Sequence, residues 1–269
     1  MVRFALPLAF VLAAGSSSLA EPPKKLLLVS SPPDGHPAAT HEYAAGVEIL
    51  AKLLKPVPGI EVTVARAEGA WKDGPDLVGR SDGVVLYLTE GAKWLSADRD
   101  RLAAFQQLAK RGGGLTVLHW GMGTKDDEPI EAFVNLFGAC HGGPDRKYVV
   151  LEKAAVSVAD AKHPIAAGLK DFSVREELYF KLKLPKGDHG VKALLTAEID
   201  GSKQMVAWTW PRPDGGRSFG FTGLHFHDNW KREEYRRLIS QGVLWTLKLP
   251  IPEKGLDVAL PEKLFELKK

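Results

Sequence analysis

The chain has 269 residues, 45% of them apolar, with 36 Lys and Arg against 33 Asp and Glu, and a single cysteine. These values lie in the ordinary globular range and exclude a collagenous, low-complexity or disulfide-stapled protein. The net charge of +3 is small and both signs are interspersed, so nothing resembles a phosphate-binding track and nucleic acid is not an expected partner.

Residues 1–20 read as an export signal. Arg3 precedes an apolar run from Phe4 to Ala14, and Ser18 and Ala20 suit cleavage before Glu21. That run is far shorter than the roughly twenty residues of a membrane span. The expected mature protein is periplasmic or secreted, with no membrane span once the signal is removed.

Leu26 to Ser30 is a run of strand length and predicts a strand buried on both faces. After a loop with Pro32, Pro33, Gly35 and Pro37, the residues Tyr43, Val47, Leu50 and Leu54 share one helix face. Pro56 and Pro58 stop that helix, Ile60 to Ala65 alternates like a strand, and Gly83 to Leu88 is a second buried run. Ser96 is taken as the N-cap of a helix carrying Leu102, Phe105 and Ala109, closed by Gly112 to Gly114, before a strand at Leu115 to Leu118. This order predicts an α/β fold with a mostly parallel sheet and helices on both faces. Further on, Tyr148 to Leu151 and Lys192 to Thr196 read as strands, and Gln204 to Trp210 and Arg217 to Thr222 as a hairpin around Pro213-Asp214-Gly215-Gly216. A last helix starts near Arg232, and Pro250 and Pro252 end it. The expected division is a signal at 1–20, one domain at 24–250 and a surface-wrapping tail at 251–269.

Ligands of open parallel sheets bind at the carboxyl ends of the strands. Polar groups recur there: Asp34, His36, His41 and Glu42 after the first strand, Thr89 and Glu90 after the third, and His119-Trp120-Gly121 after the fourth. Gly223-Leu224-His225-Phe226-His227-Asp228-Asn229-Trp230 follows the hairpin. If the backbone there is extended, His225 and His227 project to one side, as in many metal sites, with His119, Glu176 or Glu177 as the third ligand. His119, His225 and His227 are therefore the metal candidates, and a divalent ion such as zinc is the cofactor to test. The alternative is that these groups bond a neutral ligand or cap the last helix. Thr116 to Gly121 has the form of a nucleophile elbow, but it presents His119 where hydrolases place Ser or Cys, which argues against acyl-enzyme chemistry. Cys140 reads as a small buried apolar residue beside a glycine turn. Trp120, Trp208, Trp210 and Trp230 lie in or near these segments, where aromatic faces suit sugar rings and core packing is the competing role.

These segments together resemble the ThuA-like (trehalose utilisation) family of the class I glutamine amidotransferase-like superfamily. The resemblance rests on Leu118-His119-Trp120-Gly121, Gly138-Ala139-Cys140-His141-Gly142-Gly143-Pro144-Asp145, His163-Pro164-Ile165-Ala166-Ala167-Gly168-Leu169 and Glu176-Glu177-Leu178-Tyr179. It continues through residues 223–230 and Gly242-Val243-Leu244-Trp245. It implies a flavodoxin-like three-layer fold, with His119 replacing the elbow cysteine and with His119, Glu177 and His225 at recurrent polar positions. On it, the expected function is processing of a sugar or keto-sugar by His119, Glu177 and His225. His36, Trp120, Tyr179, His227, Asp228 and Trp230 would contact the carbohydrate ligand. A non-catalytic carbohydrate-binding module is the alternative.

Overall fold

Apolar runs of strand length without alternation suit strands covered on both sides, and three of them build the parallel half of the sheet. The computed structural model describes residues 21–187 and 190–267; the expected signal lies outside them. β1 is Lys24–Ser30, β2 Ile60–Arg66, β3 Gly83–Tyr87, β4 Gly114–Leu118 and β5 Lys147–Val158. β6 is Phe172–Phe180, β7 Lys192–Ile199, β8 Ser202–Pro211 and β9 Arg217–Phe221. Every residue of β3 and β4 is buried. The helices are α1 Tyr43–Leu54, α2 Gly74–Gly79, α3 Gly91–Ser96, α4 Arg99–Lys110, α5 Ile130–Phe137 and α6 Glu233–Thr246. None is long and apolar enough to cross a membrane.

The strands form one sheet in the order β2-β1-β3-β4-β9-β8-β7-β5-β6. Alternation along β9 shows how it is sandwiched. Phe219 packs where a Cβ on Gly242 of α6 would come within 2.4 Å of its ring, while the neighbouring Ser218 donates its hydroxyl to the Leu136 carbonyl of α5 at 2.7 Å. Thus α1 and α6 cover one face of the central strands, and α4 and α5 the other.

The expectation of a mostly parallel sheet holds for one half only. β2, β1, β3, β4 and β9 pair in parallel, whereas β9-β8, β8-β7, β7-β5 and β5-β6 are antiparallel. For two of these pairs the reason is connection length: Asp200-Gly201 alone joins β7 to β8, and a short turn joins β8 to β9. A parallel crossover needs a dozen or more residues. The hairpin of β8 and β9 is present as read, with Trp210 opposite Ser218. The helix assigned an N-cap at Ser96 starts later. Asp98 caps α4 by accepting from the Arg101 backbone N–H at 2.8 Å, and Ser96 instead ends α3. An Asp carboxylate is the stronger cap beside the positive helix end.

Residues 251–267 do more than wrap the surface. Val258 and Phe265 are buried, Arg236 donates to the Val258 carbonyl at 2.8 Å, and Leu256 N–H donates to Gln241 at 2.7 Å.

The start of α3 lies against the turn after β4 so closely that a Cβ on Gly91 would sit 2.0 Å from the Gly121 carbonyl oxygen. Both partners are backbone and cannot swing away. Gly91→Ala is expected to lower unfolding stability by about 3 kcal/mol, the upper range for overpacking, in a denaturant titration. A change of a few tenths would show that the two segments separate freely.

Candidate active site

At the carboxyl end of β4 the chain turns abruptly. His119 follows Leu118 with φ +46° and opens a 3-10 turn, His119–Met122. This is the elbow expected from the sequence. Left-handed backbone at a non-glycine residue costs of order 1–3 kcal/mol and persists only where the surroundings enforce it. His41 (φ +53°) and Leu224 (φ +84°) share the property, so three strained residues surround one point.

The loops after β1 and β9 are tied together by main-chain bonds. His41 N–H donates to the His225 carbonyl at 3.0 Å, and His227 N–H to the Ala39 carbonyl at 2.9 Å. That ladder brings His41 beside His225, their ring centres 4.8 Å apart. The antiparallel half then brings β6 across the same point. Tyr179 of β6 stacks between His119 and His141, with centre separations of 4.6 and 3.9 Å.

Hydrogen bonds fix the imidazole tautomers. His119 Nδ1 lies 2.7 Å from the Thr222 carbonyl, which can only accept, so Nδ1 carries the hydrogen. His41 Nδ1 donates to Asp34 at 2.9 Å, and the same carboxylate accepts from the Tyr43 hydroxyl at 2.7 Å and from His36 Nδ1 at 2.7 Å. The Nε2 atoms of His41 and His119 consequently face each other at 3.0 Å, with the Tyr179 hydroxyl 3.0 Å from His119 Nε2. Glu177 Oε1 stands 3.9 Å from His119 Nε2 and 3.5 Å from His225 Nδ1.

The electrostatics follow from burial. Desolvation pulls His119 well below the ordinary histidine range, with His41 adding to the effect, and lowers His41 despite its bond to Asp34. Burial, then His41 and His36, brings His225 down to about 4, and burial brings His141 to about 3. All four rings are therefore neutral at pH 7. Burial alone would raise Asp34, but bonds from His41, Tyr43 and His36 outweigh it and hold the carboxyl well below its usual range. Glu177 goes the other way: burial, then the neighbouring Glu176 charge, pushes it up to about 7.

The crevice above these groups measures about 210 Å³ and is walled by His36, His41, His225, Glu177, Tyr179 and Trp120, with Lys125, His141, Arg146 and Tyr148 at its other side. A groove of about 580 Å³ beside the C-terminal tail is larger but mainly apolar, with Leu53, Val57, Leu249 and Ile251 in its walls beside Lys52 and Asp257. The smaller one gathers imidazoles, a carboxylate and a phenol at the carboxyl ends of the strands, where ligands of such sheets bind. Among the described residues the His41, His119, Glu177 and His225 group could hold a metal ion, as could Asp34, His36 and His41.

Of the residues selected from sequence, His119, Glu177, His225, His36, Trp120 and Tyr179 meet here. His227, Asp228 and Trp230 do not. The backbone is not extended past Phe226: a 3-10 turn, His227–Lys231, rotates His227 away, and its Nε2 is 3.1 Å from the Phe265 carbonyl. Asp228 is on the surface, paired with Lys231 at 2.9 Å. Trp230 is fully buried in the core beside Gly46 of α1. Trp208 is core as well, donating to the Phe137 carbonyl at 2.8 Å. His41 takes the place expected of His227, with Asp34 behind it; both lie in the loop after β1 where polar residues were expected. Cys140 is buried, bonded to the Met122 carbonyl and pushed far above the ordinary thiol range by burial.

With this geometry in place, the comparisons with known proteins fall into line. A family model described as trehalose utilisation matches residues 33–246. The chain belongs to the ThuA family. A ThuA-like protein from Bacteroides uniformis superposes with a TM-score of 0.66 at 14% identity, covering 86% of this chain and 94% of that one. Another from Parabacteroides merdae gives 0.64 at 16% identity, covering 91% of this chain and all of the other. At such identities the likeness extends to the fold alone. No curated protein matches the sequence.

The two adjacent glutamates divide their work. Glu176 is fully buried and accepts from the backbone N–H groups of Glu177, Leu224 and His225, from Asn229 and from the Tyr235 hydroxyl, at 2.8 to 3.1 Å. Glu177 makes no comparable set. Glu176→Gln, which points an amide donor at donors, should cost about 3 kcal/mol in chemical denaturation, whereas Glu177→Gln should change stability by less than about 1 kcal/mol. Equal losses in both variants would contradict this division. Cys140 should also resist iodoacetamide in the native protein and react once unfolded, as followed by intact mass.

Proposed function

We propose that this ThuA-family protein is an exported enzyme of carbohydrate metabolism that moves protons on a sugar or keto-sugar derivative in the crevice at the strand ends. The observation that carries the reading is the convergence of the Glu177 carboxylate with the neutral His41, His119 and His225 rings on one small polar cavity. General acid–base catalysis needs titratable groups within hydrogen-bond reach of substrate, and perturbed carboxylate and imidazole groups gathered in a cleft fit that role.

The family description supplies the substrate class, and the cavity agrees with it in size and surface. It lies below the roughly 300–1,000 Å³ typical of drug-sized ligands, so it suits a single ring. Trp120 offers an apolar face, and Lys125, Arg146 and Tyr148 surround it with donors. In this reading Glu177 takes or orients a substrate proton, His225 faces the same space, and Tyr179 hydrogen-bonds His119 behind it. His36 and Trp120 contact the ring. Amidotransferase-type hydrolysis is disfavoured because the elbow presents His119 and the one thiol is buried away from the crevice. Export rests on the pattern of residues 1–20, and the partner is a small-molecule carbohydrate.

Purified protein starting at Glu21 is offered a panel of sugars and their keto derivatives. Turnover is expected, with kcat/KM falling at least about 100-fold in Glu177→Gln and His225→Gln, while melting midpoints stay within about 3 °C of the parent. Saturable binding without turnover of any member would instead make the chain a carbohydrate-binding module. Intact mass of the protein recovered outside the cytoplasm should correspond to a start at Glu21; a start at Met1 would refute export with cleavage.

A further inference from the structure

Two neutral histidines do not explain the centre of this site. His119 donates its Nδ1 hydrogen to the Thr222 carbonyl and His41 donates its own to Asp34, so each turns a lone pair toward the other across 3.0 Å. The Tyr179 hydroxyl has one hydrogen and can serve only one of them. Something positive belongs between these atoms, either an extra proton or a cation.

Two further observations favour the cation. His225 Nδ1 is buried without a hydrogen-bond partner, which leaves a third ring nitrogen unpartnered beside the other two. Glu177 Oε1 completes the ring of donors, 3.5 Å from His225 Nδ1 and 3.9 Å from His119 Nε2. One ligand atom from each of the four side chains lies within 4.8 Å of the others. Donors bound at about 2.0–2.1 Å around a tetrahedral ion are roughly 3.3 Å apart, so the cluster is already near the required size.

We infer that His41, His119 and His225, with Glu177 as fourth donor, form a binding site for a divalent transition metal of the zinc type. The donor set matches that ion class, since imidazole with one carboxylate suits zinc and its neighbours over calcium or magnesium. The surrounding contacts match as well. Metal-bound histidines almost always anchor their other nitrogen on a carbonyl or carboxylate, and here Thr222 and Asp34 do so, with Tyr43 and His36 fixing Asp34 in turn. Glu177 is the donor on the crevice side, where a substrate oxygen could displace it. Bound there, the ion would polarise a carbonyl or hydroxyl oxygen of the ligand. That role rests on the proposed carbohydrate chemistry; the binding itself does not.

The test uses the full mature chain, stripped with a chelator, dialysed and titrated with zinc chloride, with calorimetry for affinity and atomic emission for content. One zinc per chain is expected. His41→Gln and His119→Gln should each weaken binding at least about 100-fold, and Asp34→Asn, which keeps all four donors, roughly 10–100-fold. Where a variant fails to fold, cobalt added to the wild type gives the same information, because ligation by nitrogen donors changes its visible spectrum from that of the hydrated ion. No stoichiometric uptake by the wild type, an unaltered cobalt spectrum, or affinity unchanged in both histidine variants would overturn the site and leave a shared proton as the link between the rings. Zinc uptake without turnover of any carbohydrate would remove the enzymatic reading and keep the metal site. Turnover by a protein that takes up no zinc would do the reverse.

Discussion

Glu176 is fully enclosed and meets only hydrogen-bond donors, so its charge is tolerated solely because five groups from three parts of the chain point at it. Burial pushes its pKa up, and the bonds from Leu224, Tyr235, Asn229 and Glu177 pull it back. An isolated carboxylate in such surroundings would be prohibitively costly; this one converts that cost into position. Its two oxygens fix β6 relative to the loop at 224–229 and to α6. Glu177 and Tyr179 ride on the strand it anchors, and His225 on the loop. The antiparallel edge of the sheet can thereby contribute to a site whose other half belongs to parallel strands far away in the order.

The elbow at His119 performs the complementary task. Its left-handed backbone turns the ring back over the strand end, and the close approach of α3 to Gly121 leaves no room for that turn to relax. The same handedness at His41 and Leu224 shows that the loops from β1 and β9 are constrained for aim as well as for connection. Backbone strain of this kind concentrates where side chains must be held in a fixed relation.

Much of this was legible in the sequence, for identifiable reasons. β1, β3 and β4 announce themselves as apolar runs and β8-β9 as a hairpin, and the carboxyl ends of these strands mark where polar residues gather, so His119 after β4 and His225 after β9 could be selected without coordinates. β6 was invisible because Glu176 and Glu177 interrupt its apolar pattern, and the rule that charges face water fails for a carboxylate surrounded by donors. His41 and Asp34 were seen as polar loop residues, but a loop has no periodicity, and only its pairing with the chain at Phe226 gives it direction. The choice of His227 assumed an extended backbone, and a single turn of 3-10 helix reverses such an argument. The antiparallel half was legible only at the β8-β9 hairpin, because the segments 159–171 and 181–191 that join β5, β6 and β7 are long enough to return the chain in either direction.

The family match ends at residue 246, yet His227 bonds the Phe265 carbonyl nineteen residues further on (265 − 246). That bond secures the turn directly after His225, and Val258 is held by Arg236 in the same region. The segment beyond the recognisable family thus acts as a clasp on the loop that carries one of the three imidazoles. Variation in that segment among related chains would tune how firmly the loop is held without altering a single residue of the crevice, a route for adjusting the site from sequence that family comparison does not cover.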